Sequence, residues 1–229
     1  MAKEILCFGD SNTWGWRPEN RGGAPARFDR ETRWTALVQR ALGEEYHIDE
    51  EGLNGRTTVF EDPTSPERCG IRYIEMLMYT HAPDLVVLML GTNDMKEHLH
   101  TTNHAIARGV QMIASRILTL GQAGGKTPKV LVVSPIRIAE GVGARHPSFP
   151  PEAVRRSETL ADEIRAEVAA LPVRFIDGKT VAEPSEEDRL HLDARGHAQF
   201  AARLEKEIRE MLGERGGAYD LFGKGARNP

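Results

Sequence analysis

Apolar residues along the chain fall into five short runs that read as strands: residues 4–8, 46–50, 85–90, 130–134 and 173–176. The third and fourth runs, Leu85-Val86-Val87-Leu88-Met89-Leu90 and Val130-Leu131-Val132-Val133, are apolar throughout. Strands covered on both faces have this pattern, and parallel sheets are usually covered on both faces. Between the runs the apolar spacing changes to three and four residues. Segment 34–42 carries Trp34, Leu37, Val38, Ala41 and Leu42 at that spacing, and segment 105–120 carries Ile106, Val110, Ile113, Ile117 and Leu120. Segments 153–171 and 194–212 read as two further helices, each rich in Ala, Glu and Arg. Alternation of strand and helix predicts an α/β sandwich with helices on both faces.

The irregular segments carry equal weight. Residues 17–32 contain Pro18, Gly22, Gly23 and Pro25. Residues 61–70 contain Pro63 and Pro66. Residues 138–151 contain Gly141, Gly143, Pro147, Pro150 and Pro151. All three follow or lie near the carboxyl ends of the strands, where open α/β sheets bind ligands, and long loops in compact domains are often functional. Residues 1–212 read as one domain. The tail, 213–229, is polar and glycine-rich apart from Tyr219, Leu221 and Phe222, which suits a frayed end or one docked on a neighbouring subunit.

Composition narrows the function classes. Of 229 residues, 40% are hydrophobic and 28% charged, enough for a sizeable core. A net charge of -4 gives no basic footprint for nucleic acid. No apolar run approaches the roughly 20 residues of a membrane span, and Met1-Ala2-Lys3-Glu4-Ile5 leads straight into a strand rather than a secretory signal, so a cytoplasmic location is expected. Cys7 lies in an apolar strand and Cys69 in a polar loop. Neither belongs to a Cys-x-x-Cys pair, and neither a disulfide nor thiol chemistry is expected.

Three separated segments offer chemistry. Gly9-Asp10-Ser11-Asn12-Thr13 follows the first strand, and a serine on a strand-to-loop turn is well placed to be a nucleophile. Asp188-Arg189-Leu190-His191 sets a carboxylate and an imidazole three residues apart, so that Asp188 can accept from His191 Nδ1 and leave Nε2 free to take the serine proton. Asp193 and His197 are local rivals, although His197 falls within a helical segment. Acyl transfer also needs donors for the developing oxyanion. Asn93, after the third strand, offers an amide. Gly55, after the second, offers an unobstructed N–H, and the N–H of Ser11 is the third donor. Each of these residues alone is an ordinary turn residue; their strength lies in following successive strands. An acid limb in kcat/KM at about pH 6–7 is expected, because only neutral imidazole accepts the proton. Trp14 and Trp16 flank the serine loop as candidate pocket walls or core residues, and Asp10 and Asp94 are expected to hold their loops by hydrogen bonds. His98, His100 and His104 lack a carboxylate or cysteine at ligand spacing, and no metal or other cofactor is expected.

The four blocks in this order, Gly9-Asp10-Ser11, Gly55, Gly91-Thr92-Asn93-Asp94 and Asp188-x-x-His191, resemble the SGNH (GDSL-type) hydrolases over residues 5–212. Thr13-Trp14-Gly15-Trp16, Arg33-Trp34, Glu50-Glu51-Gly52-Leu53 and Arg56-Thr57-Thr58 are similar to its small arylesterase/acyltransferase branch. The resemblance implies a flavodoxin-like three-layer α/β/α fold with a five-stranded parallel sheet and metal-independent hydrolysis of small, short-acyl esters. It casts Ser11, Asp188 and His191 as the triad, and Ser11, Gly55 and Asn93 as the oxyanion hole. It also implies a homo-oligomer, an octamer in that branch, with restricted access to each site. Position 12 departs from the family: Asn12 stands where an aliphatic residue is usual, and a more polar site follows, which puts the branch's preference for alcohol over water in doubt. Asn12, Trp14 and Trp16 are the expected substrate contacts. Carbohydrate deacetylation and thioester or lysophospholipid hydrolysis are the alternative activities. A degenerate flavodoxin-like binding module is the non-enzymatic alternative.

Overall fold

Successive residues of a strand face opposite sides of a sheet, and in the first strand both sides are apolar. A computed structural model describes residues 2–20 and 26–213. Its elements run β1 (Lys3–Gly9), α1 (Ser11–Trp14), α2 (Trp34–Leu42), β2 (Tyr46–Gly52), α3 (Ile71–His81), β3 (Leu85–Met89), α4 (Asn103–Ala123), β4 (Lys129–Val133), α5 (Pro151–Val168), β5 (Arg174–Ile176) and α6 (Ala194–Leu212). The five strands form one parallel sheet in the order β2-β1-β3-β4-β5. Leu6 and Phe8 join a core with Ile74 of α3, Ile106 and Ile113 of α4 and Leu160 and Ile164 of α5. Ile5 and Cys7 face the other way, into a core with Trp34 and Val38 of α2 and Phe200, Leu204 and Ile208 of α6. The molecule is therefore the three-layer α/β/α arrangement expected of the strand–helix alternation. The proposed tail contacts of Tyr219, Leu221 and Phe222, and the Gly22-Gly23-Pro25 part of the long 17–32 segment, lie outside the described residues.

Several boundaries move for local reasons. The third helix of the sequence pattern, 153–171, stops at Val168, because Pro172 disfavours helical backbone in Leu171 before it. The helix expected over 105–120 extends to Asn103–Ala123, with the Thr102 hydroxyl accepting from Ala105 N at 3.2 Å as an N-cap. Helix α3 has no counterpart among the expected helices. Its inner face is Ile74, Leu77 and Met78, but Met76 and Tyr79 are exposed and blur the period. Cys69 lies in a polar loop yet is buried, and both cysteines are free.

Register fixes the functional end of the sheet. Gly9 is paired with Gly52 of β2 on one side and Met89 of β3 on the other, so three neighbouring strands end at one level. The chain reverses direction across the sheet between β1 and β3, the place where such sheets open a crevice. Close approach there leaves no room for side chains. A Cβ on Gly52 meets Trp14 N at 2.2 Å and Trp14 Cα at 2.5 Å, and one on Gly9 meets Thr13 Oγ1 at 2.0 Å. Gly52→Ala is expected to destabilise the fold by about 1–3 kcal/mol, because backbone rather than a flexible side chain must give way. A urea midpoint equal to that of the unsubstituted protein would contradict this packing.

Candidate active site

Ser11 opens a single helical turn set against the end of β1. Asp10 caps it, its carboxylate accepting from Asn12 N at 2.9 Å. Gly15, at φ 90°, closes the turn in the left-handed region. The N–H groups of Gly15 and Trp16 both reach Ser11 O at 2.9 Å, so the backbone of Ser11 is fixed on both sides. Burial pushes the Asp10 carboxyl up to about 6, against the hydrogen bonds from Asn12 N and Thr92.

The base arrives from the turn between β5 and α6. Asp188 Oδ1 accepts from the N–H groups of Leu190 and His191 at 3.1 and 3.0 Å. Arg189, at φ 65°, takes the tight conformation that this turn requires. Asp188 Oδ2 lies 2.6 Å from His191 Nδ1, and His191 Nε2 lies 2.9 Å from Ser11 Oγ. Residues 180 positions apart thus form one hydrogen-bonded chain. Burial opposes the charge on Asp188, but hydrogen bonds from His146 and His191 hold its carboxyl well below the usual range. Burial also lowers His191, outweighing the Asp188 interactions that raise it. His197 is elsewhere: it is buried in α6 with Nδ1 accepting from Trp34 N at 3.2 Å.

Ser11, Gly55 and Asn93 line one cavity. The N–H groups of Ser11 and Gly55 have no intramolecular acceptor among the described residues. Gly55 sits at φ 81°, which suits glycine. Asn93 Nδ2 gives one hydrogen to Arg56 O at 3.1 Å, which orients the amide and leaves its second hydrogen available. Asp94 holds this loop through Thr58 N and Oγ1 at 2.9 and 2.6 Å. Ser11, Trp16, Gly55, Asn93, His146 and Phe149 help to line a cavity of about 270 Å³. The Trp16 ring stands 5.7 Å from that of His191.

Two expected substrate contacts do not face this cavity. Asn12 is buried, and its Oδ1 accepts from Leu192 N at 2.9 Å, so the amide clamps the segment carrying His191 onto the serine turn. It therefore adds no polar group to the cavity. Trp14 lies behind Trp16, with its ring 6.3 Å away and the Arg27 guanidinium 5.3 Å from its centre. The polar lining comes instead from Asn54, Lys96 and Arg145, none of which the strand-end pattern marks. His146 and Arg56 also escape a sequence reading: one is a lone histidine in a Pro/Gly-rich loop, and the other sits inside a turn. His98 binds Asp62 and His104 faces Glu167. Among the described residues, neither these two nor His100 belongs to a group of side chains close enough to share an ion.

Comparison with known proteins fits this geometry. Residues 7–199 match the model of the GDSL-like lipase/acylhydrolase family. The native aryl esterase of M. smegmatis is 36% identical, with a TM-score of 0.85 over 92% of this chain and 100% of that one. A carbohydrate acetylesterase from Sinorhizobium meliloti is 33% identical, with a TM-score of 0.85 over 91% and 99%. A lipase/acylhydrolase from Enterococcus faecalis, 21% identical with a TM-score of 0.62 over 91% and 96%, shares the fold. No curated protein sequence matches. The chain belongs to the GDSL-like lipase/acylhydrolase family. It is an SGNH hydrolase of the serine type, acting on carboxylic esters.

Two outcomes follow from the geometry. Because burial holds His191 below its usual 6.5, kcat/KM should rise with pH through an apparent pKa below that value, lower than the histidine's ordinary range suggests. A limb centred above pH 7 in a pH–rate profile contradicts this. Asn12→Ala leaves Leu192 N without its buried acceptor. It should cost about 1–3 kcal/mol in denaturant unfolding and lower kcat more than it raises KM.

Proposed function

We propose that the enzyme hydrolyses short-acyl esters, acetyl esters above all, through an acyl-enzyme on Ser11. The observation that carries this reading is the hydrogen-bonded chain Ser11 Oγ–His191–Asp188, which ends at a cavity that Gly55 and Asn93 also line. In the first half-reaction Ser11 Oγ bonds to the ester carbonyl carbon and its proton passes to His191 Nε2. The carbonyl oxygen takes the negative charge and meets the three donors. The bond to the alcohol oxygen then breaks, and His191 returns the proton to the leaving alcohol. In the second half, water gives a proton to His191 and bonds to the acyl carbon, the Ser11 Oγ–acyl bond breaks to release the acid, and His191 returns the proton to Ser11 Oγ. Asp188 stays ionised throughout and stabilises the imidazolium.

The small cavity supports a short acyl chain, and the solved relatives include an aryl esterase and a carbohydrate acetylesterase. Asn54, Lys96 and Arg145 on the lining favour a hydroxyl-bearing alcohol, which makes deacetylation of sugars the second reading. Ser11→Ala should lower kcat by on the order of 10³ or more with the fold intact, and a fluorophosphonate should label Ser11 alone. Full activity in the alanine variant sinks the assignment. Initial rates on aryl, alkyl and sugar acetates rank the alcohols, and product ratios in added alcohol measure acyl transfer.

The family resemblance supports an octamer, and exposed Met76, Tyr79 and Met112 on α3 and α4 supply apolar surface for subunit contact. A mass near 25.4 kDa in light scattering at micromolar concentration overturns that assembly. The cytoplasm is the proposed location, supported by two free, buried cysteines; no described helix is long and apolar enough to cross a membrane.

A further inference from the structure

Two imidazoles converge on one oxygen of the Asp188 carboxylate. His191 Nδ1 stands 2.6 Å from Oδ2, and His146 Nε2 stands 3.3 Å from the same atom. The two rings meet edge to face, with centroids 5.3 Å apart at 74°. An ionised carboxylate only accepts hydrogen bonds, so the hydrogen sits on Nε2 of His146 and on Nδ1 of His191. His146 is no part of the local Asp188–His191 turn; it comes from the loop before α5, 42 residues away. That loop is fixed independently. His146 N donates to Val142 O at 2.9 Å, Phe149 N donates to His146 O at 3.0 Å, and Arg145 Nη2 donates to Asn20 O at 3.1 Å. The ring is half-buried and lines the cavity, so it stands between the substrate space and a fully buried carboxylate.

We propose that His146 is a positioning residue of the triad: a second histidine on Asp188 that divides the charge of the carboxylate with His191 and so sets how readily His191 holds a proton. The proposal rests on the reading of Ser11, His191 and Asp188 given above. Asp188 Oδ1 is already saturated by the backbone N–H groups of Leu190 and His191, so Oδ2 alone faces the two rings. A cation on the His146 ring would stand beside His191 and lower the proton affinity of that ring. The other charges around the pair reinforce this. Arg145 adjoins His146, Lys96 lies across the cavity with Asp62 at 2.8 Å, Arg189 pairs with Glu186 on the intervening turn, and Arg33 and His197 lie behind His191. Asp188 is thus the carboxylate that both rings share, and His191 stays neutral to lower pH than Asp188 alone allows.

Ring NMR across pH in the Ser11→Ala protein tests the coupling without turnover. The His191 curve should shift upward when His146 is replaced by Gln in the same Ser11→Ala background. In enzymes with Ser11 intact, His146→Gln and His146→Ala should both move the acid limb of kcat/KM upward by about 0.5–1 pH unit, because both remove the competing charge. Gln retains an N–H donor, so its kcat on the alkaline plateau should stay within about 3-fold of the unsubstituted enzyme while that of Ala falls about 10-fold. A His191 curve unchanged by the replacement of His146, or an acid limb unmoved in both variants, overturns the proposal and leaves His146 as cavity wall alone. Undiminished activity of Ser11→Ala overturns the esterase reading instead, and the NMR coupling then stands or falls by itself.

Discussion

The guanidinium of Arg56 joins the strand ends on which the site is built. It donates to Gly9 O at 2.8 Å and to Glu51 O, and it lies 4.2 Å from the centre of the Phe8 ring. The carbonyls at the ends of β1 and β2 point out of the sheet where the ladder stops, and buried carbonyls need donors. One planar, multiply donating cation serves both. Burial lowers its pKa to about 10, with the acidic neighbours Glu51 and Asp10 opposing, so it remains charged at neutral pH. The same residue's carbonyl accepts from Asn93, which ties the end of β3 to those of β1 and β2. The proposed oxyanion donors are therefore fixed by the sheet itself.

Ser11 and His191, the proposed nucleophile and base, need a different constraint, because they come from opposite ends of the chain. Asn12 supplies it. Its backbone N–H binds Asp10, its carbonyl accepts from Trp34 Nε1 at 3.0 Å, and its side chain accepts from Leu192 N. The residue after the serine thus holds the residue after the histidine. This spends a polar side chain on geometry where the family usually places an aliphatic one, and it shields rather than enlarges the polar surface of the cavity.

Holding these loops has an electrostatic cost. Asp10 and Asp94 are fully buried, and burial pushes both carboxyls up to about 6, against the hydrogen bonds they accept. A folded-state pKa above the unfolded value near 3.8 contributes stability below that value, and the contribution is lost as pH rises through about 6. At neutral pH both groups therefore oppose folding, while their bonds to Asn12 N and to Thr58 keep the serine and Asn93 loops in place. Stability is given up where position matters, as is common at reacting centres.

Local chemistry made much of this protein legible from its sequence. The apolar runs 85–90 and 130–133 mark buried parallel strands because covered faces exclude polar residues. The turn after β1 marks Ser11, and the three-residue interval marks Asp188 with His191, because strand ends and short turns have their own residue requirements. Helix α3 stayed hidden because Met76 and Tyr79 break its pattern, and an apolar residue on an exposed face is indistinguishable in sequence from one in a core. What tertiary structure alone decided are contacts with no local signature: Asn12 turned to Leu192, Trp14 set behind Trp16, Arg56 reaching two strand ends, and His146 sharing Asp188. Each depends on strand register and loop packing between segments far apart in the chain. A sequence period reports which face a residue occupies, but not which distant atom it meets there.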